Sequence, residues 1–131
     1  MITIDTHVII WLALQPEKLS TAAKSQIDSA NRFSDLIISD ITIWEIAMLV
    51  QKGRIQLGRP FADFIRLIKT SNNLKIKPIT PEIAELAVSF GPEINGDPSD
   101  RIICATSIIN SAPLVTADEN LRKSVLVKTI W

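Results

Sequence analysis

The sequence predicts an α/β fold: a central, mostly parallel sheet with helices packed on both faces. Short apolar runs of strand length alternate along the chain with segments whose apolar residues recur at helical spacing. No repeat, low-complexity tract or linker interrupts that alternation. A length of 131 residues with 47% hydrophobic content suits one compact domain, residues 1–131, around one well-filled core.

The opening Met1-Ile2-Thr3-Ile4 reads as a short buried strand ending at Asp5, and Val8, Ile9, Leu12 and Ala13 mark an apolar helix directly after it. Leu19, Ala22, Ala23, Ile27 and Ala30 trace a second helix with Ser20 as its N-cap, and Leu36 to Ser39 is a second strand. Ser39 or Asp40 caps a third helix, from about Ile41 to Gln51, which Gly53 ends. Phe61, Phe64, Ile65 and Ile68 repeat at i, i+3, i+4 and i+7, the pattern of a helix with one buried face.

Leu74 and Ile76 suggest a short strand. Thr80-Pro81-Glu82 is a helix start, with Thr80 as cap and Pro81 at the first helical position, and Ile83, Leu86, Ala87 and Phe90 continue its buried face. Gly91 to Asp97 is a loop; Asp97-Pro98 then opens a helix through Ile102, Ala105, Thr106 and Ile109. Leu114 to Thr116 reads as a strand, Asp118 to Lys123 as a short helix, and Val125 to Ile130 as a final edge strand.

Composition narrows the function classes. No apolar run reaches the roughly eighteen residues of a membrane span, and no leader-like segment precedes Asp5, so a cytoplasmic protein is expected. The lone Cys104 lies in an apolar helical pattern and reads as a buried, inert thiol. Formal charge is zero, with 14 basic and 14 acidic residues. Setting aside four acids neutralised by a metal leaves 14 basic against 10 acidic, a balance that permits RNA binding without predicting it.

The acids carry the functional signal. In an open α/β sheet the ligand site lies beyond the carboxyl ends of the strands, where Asp5 and Asp118 both fall. Asp100 reaches the same edge if its helix runs antiparallel to the strands. The preceding loop allows this, since about seven extended residues span roughly 23 Å against about 15 Å for a ten-residue helix. Each of these acids also has a structural role open to it: Asp5, Asp97 and Asp118 as N-caps, Asp100 at N3 facing the helix dipole. Capping is the favoured reading of Asp97.

Glu45 does not fit a capping role, because it lies mid-helix in an apolar segment with Ile41, Met48 and Leu49 at i−4, i+3 and i+4. A contact from Arg101 or a bound metal would each satisfy it. Several carboxylates converging on one edge repel one another without a counter-charge, and hard oxygen ligands suit Mg²⁺ or Mn²⁺. Such an ion activates water and steadies the charge of in-line displacement at a phosphodiester. His7 and the basic residues Lys52, Arg54 and Arg59 receive no role, and Trp11, Trp44 and Trp131 read as core or interface packing.

The segments MITIDTH, ISDITIWEIAML, GDPSDRIICATSI and LVTADENL, in this order and at these separations, closely resemble the PIN-domain ribonucleases, particularly the VapC-type toxins. Any one of these segments is common; the four together span nearly the whole chain and are specific. The resemblance implies a three-layer PIN-like fold, with Asp5, Glu45, Asp100 and Asp118 as metal-binding and catalytic acids, Thr6 and Thr116 in support, and Asp97 as an accessory acid. It further implies a divalent-metal-dependent endoribonuclease, the toxin of a toxin–antitoxin pair, with RNA as substrate, a cognate antitoxin as partner and a homodimer as assembly. Ser99 stands where many relatives carry a bulky residue, and position 96 is Gly; these departures bear on loop shape and substrate choice.

Two other readings compete. A phosphoryl-transfer protein of dehalogenase type needs a second Asp two residues past the first, where this chain has His7, and a receiver-like site needs a Lys after a late strand, which LVTAD lacks. A binding module with every acid a helix cap predicts indifference to metal.

Overall fold

The computed structural model describes residues 1–131. Five strands, β1 (Ile2–Ile4), β2 (Leu36–Ser39), β3 (Lys75–Lys77), β4 (Leu114–Val115) and β5 (Thr129–Ile130), form one sheet in the order β3-β2-β1-β4-β5 with every pairing parallel. Seven helices connect them: α1 (Thr6–Leu14), α2 (Thr21–Arg32), α3 (Ile41–Gln51), α4 (Phe61–Ser71), α5 (Pro81–Ser89), α6 (Pro98–Ile109) and α7 (Glu119–Lys123). A 3₁₀ turn at Pro16–Lys18, which the sequence patterns do not signal, joins α1 to α2. No helix is long and apolar enough to cross a membrane.

Alternation along the strands divides the core in two. Ile2, Ile4, Leu36, Ile38 and Val115 pack with Val8 and Ile9 of α1, Ile27 of α2, Ile46 of α3 and Phe64 and Ile68 of α4. Leu114 turns the other way, toward Ile103 and Cys104 of α6 and Leu121 of α7, while Ile83 and Ala87 of α5 meet Ala105 beside it. The sheet is therefore the middle of three layers. Its central strands are buried on both faces, as a covered parallel sheet requires, and the one polar side chain of β1, Thr3, donates its hydroxyl to Ala112 O at 3.0 Å.

The caps follow from the local sequence. Ser20 Oγ accepts from Ala23 N–H at 3.0 Å and Thr80 Oγ1 from Ile83 N–H at 3.2 Å. Of the two residues proposed to cap α3, Ser39 does so, its Oγ accepting from Ile41 N–H at 3.3 Å, while Asp40 is already helical and makes no cap bond. Gly53, at φ +70°, ends that helix. Three of the four returns from helix to strand share another device. Ser34, Asn73 and Ser111 adopt φ near +50°, and the residue after each donates back to the last helical turn, as Asp35 N–H does to Ala30 O at 3.0 Å. None of the three is glycine, so the sequence does not announce these turns.

The last strand departs from expectation. Only Thr129 and Ile130 of the segment from Val125 pair, because β4 offers two residues as partners. Val125 is 97% exposed, so its apolar character marks no buried strand face.

Candidate active site

The sheet order places β1 between β2 and β4, the point where the strand order reverses and where open α/β sheets take their ligands, in a crevice beyond the carboxyl ends. Asp5 is the first residue after β1 and Thr116 the first after β4. These neighbours meet: Thr116 Oγ1 donates to Asp5 Oδ2 at 2.6 Å and accepts from Asp118 N–H at 3.1 Å. The other oxygen of Asp5 caps α1, accepting from Thr6 N–H at 2.7 Å. Asp5 and Thr116 are both buried. Burial pushes the Asp5 carboxyl above its ordinary range, against the opposing pull of its hydrogen bond from Thr116.

Glu45 enters from α3. Thr6 Oγ1 donates to Glu45 Oε1 and lies 3.0 Å from Thr42 Oγ1, so a single buried hydroxyl joins the end of β1 to one face of α3. Burial raises the Glu45 carboxyl to about 7; the Thr6 bond opposes this, and the charges of Asp5, Asp100 and Asp97 add to it. Asp100, in the first turn of α6, is raised to about 6, mainly by burial, with Asp5, Asp97 and Asp118 adding to the shift. The structure thus brings Asp5, Glu45, Asp100 and Asp118 into one field at one edge of the sheet.

Capping and clustering are not exclusive. Asp118 Oδ1 accepts from Asn120 and Leu121 N–H at 2.9 and 3.1 Å, capping α7, while its Oδ2 faces Asn95. Asp97 is exposed and caps α6 through Ser99 N–H at 2.8 Å, as its sequence context suggests, and its charge is still felt by Glu45 and Asp100.

None of these acids has a basic partner: the ion pairs are Met1–Asp35, Lys24–Asp28 and Arg66–Asp63, all elsewhere. Arg101 does not reach Glu45. It turns to the preceding loop, donating to Phe90 O at 2.7 Å, Asn95 O at 3.1 Å and Gly91 O at 3.2 Å. His7 is exposed, its ring 6.2 Å from that of Trp11. Trp11 packs on Trp131 at 5.9 Å, but Trp44 is 55% exposed. It projects away from the face that buries Thr42 and Ile46, and so it lies outside the core.

Asn95 escapes the sequence reading, which places it in a Gly- and Pro-rich loop. Its Nδ2 donates to Asp100 Oδ2 at 3.1 Å and to Asp118 Oδ2 at 2.9 Å, joining two acids from different elements. Nothing local signals this contact, because 23 residues separate Asn95 from Asp118. Thr42 was missed for the same reason.

The donor set fits a hard divalent cation. It consists of carboxylate oxygens with no lysine or arginine paired to them, and the acids raise one another's pKa, a conflict that a bound cation relieves. No three of the acids already form a closed ligand cage. Mg²⁺ and Mn²⁺ do not need one: Mg²⁺ in particular keeps several waters and is held by one or two carboxylates together with substrate phosphate. A cavity of about 570 Å³ is lined by Glu119, Arg122, Lys123, Thr129 and Trp131 and by none of the four acids.

Comparison with known proteins agrees with this architecture. The family model described as PIN domain matches residues 2–124. The chain is 35% identical over 121 residues to Ribonuclease VapC22 of Mycobacterium tuberculosis, covering 92% of this chain and 89% of that protein. Among solved structures it resembles VapBC2 from Rickettsia felis bound to a promoter DNA fragment, with a TM-score of 0.74 at 15% identity over 98% of this chain and 97% of that one. A toxin–antitoxin complex from Klebsiella pneumoniae aligns with a TM-score of 0.64 at 20% identity, over 97% and 95% of the two chains. These structural likenesses establish the fold.

Proposed function

This chain belongs to the PIN-domain family, and from that premise we propose that it is an endoribonuclease, the toxin of a toxin–antitoxin pair, that hydrolyses RNA phosphodiester bonds with Mg²⁺ or Mn²⁺ at the acid cluster. One observation supports the assignment of the site above the rest: four acids from four separate elements share one sheet edge with no lysine or arginine paired to any of them, the exposed His7 alone adding a basic influence on Asp5. A structural network would neutralise such a group with lysine or arginine, and a set of independent caps would not gather it.

Asp5, Glu45, Asp100 and Asp118 are the catalytic and metal-binding acids in this reading. When bound, the cation supplies positive charge for the phosphate and lowers the pKa of a water. The chain's own residues orient and ionise the carboxylates. Thr116 fixes Asp5 relative to the backbone of Asp118, and Thr6 holds the Glu45 carboxyl of α3 toward the end of β1. Glu45, with its pKa near 7, is the acid suited to accept a proton from the attacking water at neutral pH. Asp97 stays at the rim, where its charge adds to the field without joining the buried group.

RNA, a cognate antitoxin and a second copy of the chain are the partners this function carries, in the cytoplasm. Asp100→Asn tests it: cleavage of an RNA pool with Mn²⁺ should be lost while circular dichroism stays that of wild type. Full cleavage by the folded variant, or by wild type in excess EDTA, would refute the assignment.

A further inference from the structure

Each carboxylate of the site has its oxygens spoken for in a particular way. Asp5 uses both, one on Thr6 N–H and one on the Thr116 hydroxyl. Asp118 uses Oδ1 on the backbone of α7, which leaves Oδ2 for the crevice. That free oxygen and Oδ2 of Asp100 are the two atoms that the Asn95 amide nitrogen engages, at 2.9 and 3.1 Å. The carboxylates are acceptors only, so the nitrogen end of the amide must face them.

The placement of Asn95 is built into the fold. Ile94, before it, is 1% exposed and sits in the core cluster with Ile103 and Leu114. Its own carbonyl is bound by Arg101 Nε at 3.1 Å, and the same guanidinium holds Phe90 and Gly91. The loop is clamped on both sides of the side chain.

We propose that Asn95 is a positioning residue that stands in for the cation: its amide pairs Asp100 with Asp118 in the metal-free protein, and a divalent ion must displace it to take their Oδ2 atoms. This inference rests on the metal reading given above. An uncharged amide steadies the two acids without neutralising them. It thereby keeps the crevice ordered before metal arrives and competes with the metal once it does. The consequence has a sign opposite to that of a structural role. Removing the amide destabilises the metal-free state and leaves the metal-bound state unharmed, so affinity should rise.

Mn²⁺ titration calorimetry on wild type, Asn95→Leu and Asn95→Ala tests this, each protein first shown to be folded by circular dichroism. Both variants should bind Mn²⁺ at least about tenfold more tightly than wild type, because the amide's two competing hydrogen bonds to the carboxylates are gone. Their metal-free melting temperatures should fall below that of wild type, and saturating Mn²⁺ should close the gap. Asn95→Ala alone decides the matter if the bulkier variant does not fold. Unchanged or weaker Mn²⁺ binding by a folded variant overturns the inference and leaves the metal site standing. Absence of binding by wild type overturns the metal site itself, and the inference with it.

Discussion

Raising the pH of the metal-free protein from about 4 to 8 should destabilise it, the reverse of the behaviour expected where carboxylates sit in ion pairs. The sign follows from proton counting. Glu45 and Asp100 have folded-state pKa values of about 7 and about 6, above their ordinary 4.5 and 3.8, so between these limits the folded state holds protons that the unfolded chain has released. Stability is then fully present below about pH 4 and is lost as pH rises through the folded values. At ~1.4 kcal/mol per pH unit, Glu45 alone corresponds to ~3 kcal/mol, which its partial exposure to solvent reduces to ~1–2 kcal/mol. Asp100 adds a similar amount. Together they shift the melting temperature by roughly 7–15 °C for a chain of this size. Thermal unfolding in EDTA at pH 5 and pH 8 measures the difference, and Mn²⁺ at pH 8 should recover most of it. Glu45→Gln should flatten part of the slope. A metal-free protein equally or more stable at pH 8 than at pH 5 would refute the argument that these acids are crowded and unpaired.

Three further perturbations probe separate parts of the structure. Thr116→Val keeps the volume but removes the donor to Asp5 and the acceptor for Asp118 N–H. It should cost ~1.5–3 kcal/mol in urea unfolding and depress RNA cleavage, and a variant with wild-type stability and activity would show that the hydroxyl does not order the site. Cys104 is buried with its thiol pushed up to about 12, so a thiol reagent should label it only at the rate of unfolding; rapid labelling of the native protein would contradict its place in the core. Ile38→Ala should lower unfolding free energy by ~2–5 kcal/mol, because Ile38 is fully buried in the central sheet, and a loss below ~1 kcal/mol would mean that the layer around it collapses to fill the space.

Local pattern determined much of this protein. The apolar strand runs, the Thr80-Pro81 and Asp97-Pro98 helix starts and the apolar spacing from Phe61 to Ile68 reflect nearest-neighbour physics, and each produced its element close to where the sequence places it. Alternation of strand and helix then restricted the sheet to parallel pairing, and acids that immediately follow strands fell at its carboxyl edge. Pairing over distance was hidden. The short β5 depends on how many residues β4 can offer, and Arg101 takes loop carbonyls instead of Glu45 because the loop from Phe90 to Asn95 folds back over it. Asn95 between Asp100 and Asp118, like Thr6 against Thr42 and Glu45, joins residues that no periodicity relates. Sequence alone supplied the acids and the edge they occupy. Which hydroxyl, amide or guanidinium meets which partner was decided by tertiary packing, since a hydrogen bond depends on where two chains of atoms meet in space and leaves no periodic trace along either.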